Sequence, residues 1–141
     1  MADARGKTLA RIHRVRTLQL GLTRADEARA HDKFASEQLL SGRIALLVDA
    51  VAPVHETQVA VSLGAAAHYR ERLQKSADAA VERMQAAEHH VGRAAEATRA
   101  AKRDQSAVEK LLARADADAV LKAIRAMEES PAFRKVRHDP C

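Results

Sequence analysis

The chain has 141 residues, of which 47% are hydrophobic but only 2% are aromatic, and its formal net charge is +5. A compact globular core of this size normally uses more large side chains, because those bury the most apolar area per residue. The abundant alanine and charged residues, with apolar residues about 3.5 positions apart, indicate a coiled coil instead. The positive charge permits an acidic protein, a nucleic acid or an anionic membrane as partner and does not choose among them.

The sequence predicts a cytoplasmic protein. Its first residues lack the apolar run of a signal peptide, and the single cysteine, Cys141, allows no internal disulfide. The most apolar window, residues 44–63, contains Asp49, Pro53 and Glu56, which argue against a membrane span.

A first helix is predicted over residues 5–51, and its start is strongly basic. The basic side chains of this start are Arg5, Lys7, Arg11, Arg14, Arg16 and Arg24. Apolar residues recur at threes and fours, which predicts an amphipathic helix with a cationic outer side; they are Leu9, Ile12, Val15, Leu18 and Leu22. The cationic side is either a solvated face or a docking end for an acidic surface.

The apolar stripe of this helix weakens across residues 25–37. Leu18 and Leu22 are out of phase with the apolar residues that follow, which are Leu40, Ile44, Leu47, Val51 and Val54. We therefore predict a slip of about one position, which in a coiled coil is a local change of winding.

The chain reversal is predicted between Val51 and Gly64. Pro53 lacks a backbone donor and disfavours helix just before it, and Gly64 offers a second break. No Lys or Arg occurs between Arg43 and Arg70. This weakly charged tip is either ordinary helix packing or an exposed contact surface.

A second helix is predicted over residues 62–129, with small or apolar residues at alternating steps of four and three. The positions of this stripe are Leu73, Ala77, Ala80, Met84, Ala87, Val91, Ala94, Thr98, Ala101, Gln105, Val108, Leu112, Ala115, Ala119, Lys122 and Ala126. So narrow a stripe needs a partner helix along it. We predict an all-α fold, a long antiparallel two-helix coiled-coil hairpin forming a single domain; a homo-oligomer whose seam pairs between chains is the alternative.

The tail, residues 130–141, begins with Ser130-Pro131, which ends the helix, and is basic through Arg134, Lys135 and Arg137. In an antiparallel hairpin this tail lies beside the start of the chain. The two basic segments are therefore expected to form one cationic end.

No catalytic, metal or cofactor site is predicted. The seven histidines are scattered, and no two of them stand four apart on one helix face with a supporting carboxylate. Ser, Cys and His show no arrangement suited to nucleophilic catalysis. We expect a protein that is not an enzyme.

Two segments carry a family resemblance. The segment Tyr69-Arg-Glu-Arg-Leu73 and the basic, leucine-bearing run 99–114 resemble the second helix of the FliJ-type stalk proteins of flagellar export and their injectisome counterparts. The resemblance implies a central stalk in the pore of a hexameric export ATPase, at the end that carries both termini. It also implies contact with the membrane export gate and a link to export chaperones, at the inner-membrane export apparatus.

The resemblance also implies site residues. Those expected to bind the ATPase are Arg5, Lys7, Arg11, Arg14, Arg134, Lys135 and Arg137. Those expected to bind the gate are Tyr69, Leu73, Ser76 and Ala80, although Leu73 and Ala80 also fall on the predicted seam and could pack against the first helix instead. No nucleic acid is expected as a partner; a basic hairpin that binds nucleic acid through phosphate contacts is the alternative.

Overall fold

A computed structural model describes residues 2–51 and 60–130 of the chain. They form two helices, α1 (Ala2–Ala50) and α2 (Ala60–Glu129), which pack against each other, and no strand occurs in the described residues. The predicted all-α antiparallel helical hairpin is confirmed. Gly64 lies inside α2, so its prediction as a helix break is wrong. Pro53 and the basic tail from Pro131 onward lie outside the described residues.

The helices divide into two compact units. The first unit combines the start of α1 with the end of α2, within residues 1–18 and 103–141. The second unit comprises residues 19–102.

In the second unit, the buried face of α2 is the stripe that the sequence predicted. Ala80, Ala87 and Ala94 are at most 8% exposed. The intervening seam positions are half-buried: Leu73, Ala77, Met84, Val91, Thr98 and Ala101. Alanine at these positions lets two helices approach closely, although each buried methyl group removes little apolar area from water.

The buried face of α1 in the second unit differs from the prediction. Leu20 and Ala30 are buried, and half-buried residues continue the three-and-four spacing: Thr23, Glu27, Phe34, Glu37, Ser41, Ile44 and Val48. The spacing passes through residues 25–37 unbroken, so the predicted register slip is wrong. Leu22, Leu40 and Leu47, which the sequence placed on the inward stripe, are exposed.

Polar residues can occupy these seam positions because their hydrogen bonds are satisfied locally. The hydroxyl of Thr23 donates to the Leu20 carbonyl at 3.1 Å, and that of Thr98 donates to the Ala94 carbonyl at 3.1 Å. Arg83 reaches across from α2 to Glu37, with Nε 3.3 Å from Oε2. No buried side-chain N or O atom lacks a hydrogen-bond partner among the described residues.

Because the buried face of α1 differs from the predicted one, alanine substitutions at two nearby leucines should have different effects on stability. Leu20→Ala should lower the free energy of unfolding by about 2 kcal/mol, because a buried leucine loses its contacts. Leu22→Ala should change it by less than about 0.5 kcal/mol, because that side chain is 66% exposed. Urea unfolding followed by circular dichroism measures both; equal losses would contradict the observed face.

In the first unit, the seam is shorter than predicted. On α2, Val108 is buried and Gln105, Leu112 and Ala115 are half-buried, whereas every residue from 116 to 130 is exposed. The predicted seam positions Ala119, Lys122 and Ala126 therefore do not pack against α1.

The register of the two described helices accounts for this early end of the seam. Arg16 pairs with Asp104 and His13 with Glu109, a register that puts Ala2, the first residue of α1, opposite roughly residue 119 of α2. Within the described residues, helix α2 thus extends about three turns past the first residue of α1.

Ile12, Val15 and Leu18 are also exposed in this unit, contrary to the predicted inward stripe. The half-buried positions of α1 here include Leu9, His13 and Arg16, because the face that meets α2 is displaced from the apolar one.

Candidate partner-binding surfaces

Polar contacts join the two helices in the first unit. His13 Nε2 lies 3.2 Å from Glu109 Oε1, and an Arg16 guanidinium nitrogen lies 3.0 Å from Asp104 Oδ2. The side-chain amide of Gln105 donates to the Thr17 hydroxyl at 3.2 Å. These groups are partly exposed, so each contact adds little stability, and all three contacts correspond to the same antiparallel register.

The cations predicted to bind the ATPase are described only on α1. Arg5, Lys7, Arg11 and Arg14 are all exposed there. Arg5, Arg11 and Arg14 have no ion pair within the described part of the chain, which leaves their charge available to a partner. The remaining members of the predicted set, Arg134, Lys135 and Arg137, lie outside the described residues.

The end of α2 carries an apolar patch that the sequence analysis missed. Its members are between 42% and 70% exposed: Val120, Leu121, Ile124 and Met127. Val120 and Met127 each follow a predicted seam position, Ala119 and Ala126, by one residue. One residue turns the helix by about 100°, so the two side chains point away from the line of the seam. We call these four residues the terminal apolar patch.

The four residues predicted to bind the gate do not form one exposed surface. Tyr69 is 53% exposed and Ser76 is exposed, whereas Leu73 is half-buried in the seam. Ala80 is completely buried, so it offers no surface to a partner while the helices remain packed. Its packing role, which the sequence left open as an alternative, is the one the structure favours.

A cationic groove opens on the second unit, with a volume of about 550 Å³. It is lined by Thr23, Asp26, Arg29, Ala30 and Lys33 from α1 and by His90, Arg93, Ala94 and Ala97 from α2. Arg29 donates to Asp26 within α1. The charged residues Asp26, Arg29 and Lys33 stand close together in the sequence, but only the pairing of the helices brings Arg93 and the α2 alanines beside them.

Metal-binding clusters and membrane-spanning helices are both absent from the described residues. They contain no group of three or more His, Cys, Asp or Glu side chains placed to hold a metal ion. Neither of the described helices includes a stretch apolar enough to cross a membrane.

The function of this chain is inferred from its exposed surfaces, because comparison with known proteins gives no indication of it. Comparisons of the chain with known protein families, with curated proteins and with solved structures find no match. The resemblance to export stalk proteins therefore stays a prediction, to be weighed against the exposed cations of α1, the terminal apolar patch and the cationic groove.

Proposed function

We propose that this protein is a non-enzymatic component of a flagellar or related type III export apparatus. In this role it is the central stalk of a hexameric export ATPase and couples the ATPase to the membrane export gate and to the cycling of export chaperones. The observation that best supports the proposal is the extension of α2 past the start of α1, with the terminal apolar patch exposed on it.

A stretch of helix that no other described residue covers is suited to insertion into a partner protein. About three turns of isolated helix are only marginally stable in water, so a surrounding protein that buries Val120, Leu121, Ile124 and Met127 would stabilise them. The nearby cations Arg5, Arg11 and Arg14 would steer this end toward an acidic pore.

The gate contact would use a smaller surface than the family pattern implies. Tyr69 and Ser76 are exposed on one flank of the seam, and the half-buried Leu73 lies between them along the length of α2. A protein that binds ATPase and gate with different affinity in their successive states would couple them by linkage, without any chemistry of its own.

A double charge reversal tests the ATPase contact. Arg11→Glu with Arg14→Glu should weaken binding to the purified export ATPase at least about tenfold at low salt, because two attractive contacts become repulsive. The variant should also bind with a weaker dependence on salt concentration. Titration by fluorescence anisotropy over a series of salt concentrations measures both quantities.

The matched control is Arg43→Glu with Arg72→Glu. It makes the same change in charge at two exposed arginines of the second unit. Unchanged affinity of the Arg11/Arg14 variant at low salt, or an equal loss in the control, would refute the cationic contact.

A further inference from the structure

We propose that the cationic groove of the second unit binds an acidic amphipathic helix of a partner protein. The inference does not depend on the proposed stalk function, because the groove shares no residue with the predicted ATPase or gate surfaces.

The shape of the groove favours a helix as its occupant. Successive lining residues are one or three positions apart on each helix, from Thr23 to Lys33 on α1 and from His90 to Ala97 on α2. At 1.5 Å of rise per residue, the α1 wall is about 15 Å long, the length of about three helical turns. A lining that follows both helix axes in this way fits a third helix laid along the pair.

The floor of the groove allows close approach. Ala30 and Ala94 are 2% and 8% exposed, and Ala97 beside them is exposed. Of the three, Ala97 presents the accessible methyl group, and because it has no side chain beyond Cβ, small apolar residues of a partner helix can pack near the backbone there. A phosphate backbone would find no match in this apolar floor, which favours a helix over a nucleic acid.

The charges on the two walls specify an acidic partner. Lys33 on α1 and Arg93 on α2 are exposed, and their side chains have no hydrogen bond or ion pair within the described part of the chain. Asp26, the one carboxylate of the lining, is already paired with Arg29. A helix with carboxylates on both flanks of a small apolar stripe would place one set against each unpaired cation.

A designed peptide tests the groove. The probe is a fluorescein-labelled helix of about three heptads, with alanine and leucine along one stripe and glutamate on both flanks. Its control is a peptide of the same composition in scrambled order. We expect the helical peptide to bind the full-length protein and the scrambled peptide to bind at least about tenfold more weakly, because it has the charge without the stripe.

Two double variants locate the binding site. Lys33→Glu with Arg93→Glu should weaken binding of the helical peptide about tenfold or more, whereas Arg43→Glu with Arg72→Glu, the same charge change outside the groove, should weaken it less than about twofold. Equal losses in the two variants would overturn the proposal, since they would show attraction to net charge alone.

A third variant tests the floor without altering charge. Ala97→Trp fills the groove at an exposed position, so the helices should retain their thermal unfolding while the affinity for the helical peptide falls at least about fivefold. Unchanged affinity would overturn the proposal. So would a thymidine oligonucleotide that binds more tightly than the peptide and loses affinity with Lys33→Glu and Arg93→Glu, because that result assigns the groove to nucleic acid.

Discussion

Ala87→Asp should lower the free energy of unfolding by about 3 kcal/mol, whereas the neighbouring Ala86→Asp should lower it by less than about 1 kcal/mol. Ala87 is 5% exposed in the seam, so an aspartate there loses water without gaining a partner. Ala86 is exposed, and an aspartate there only replaces a strong helix former with a weaker one.

The pair of variants separates burial from helix propensity. Both make the same chemical change on the same turn of α2, and urea unfolding monitored at 222 nm reports each loss of helix. A two-helix fold has few buried residues to share the cost, so Ala87→Asp should bring the midpoint close to zero denaturant. Similar midpoints for the two variants would show that α2 does not pack through this stripe.

The α2 seam could be predicted from the sequence because the residues that pack against α1 are nearly all apolar or small. From Leu73 to Ala115 the residues at steps of four and three are apolar or small, apart from Thr98 and Gln105, and these are the residues that the structure buries or half-buries. A long run of consistent spacing indicates a helix face more reliably than any single residue.

The buried face of α1 could not be predicted by the same reasoning, because several of the residues that pack against α2 are polar and several apolar residues are exposed. Its seam includes His13, Arg16 and Glu37, whose polar ends reach partners on α2 at the edge of the interface. A search for apolar residues therefore selected Ile12 and Val15 instead, which are exposed. The signal that would have found the correct face is complementary charge between the helices in an antiparallel register.

The candidate surfaces could not be predicted from either helix alone, because each surface depends on how α1 and α2 pair. The terminal apolar patch includes the three-and-four spacing, but only the register of the two helices shows that no described residue of α1 lies beside it. Similarly, Lys33 and Arg93 are far apart in the sequence and line one groove only after the helices pair. Exposed apolar residues on a charged helix can be recognised as a binding surface only once the buried face of that helix is known.

Val120→Asp with Met127→Asp should weaken binding to the export ATPase by about 100-fold while leaving the unfolding of the hairpin almost unchanged. Both side chains are more than half exposed, so the free protein loses few contacts. In the proposed complex they are buried by the ATPase, and two buried apolar contacts in a central interface account for an effect of this size.

The control for this variant is Ala119→Asp with Ala126→Asp. It places the same two charges at the same spacing on the same extension of α2, turned by about 100° from the terminal apolar patch. If the ATPase binds the terminal apolar patch, the control should retain affinity within about fivefold of the unmodified protein, because its two charges lie outside the surface that contacts the ATPase. Equal losses in both variants would mean that added negative charge alone disrupts binding, and undiminished affinity in the patch variant would remove the extension of α2 from the ATPase interface.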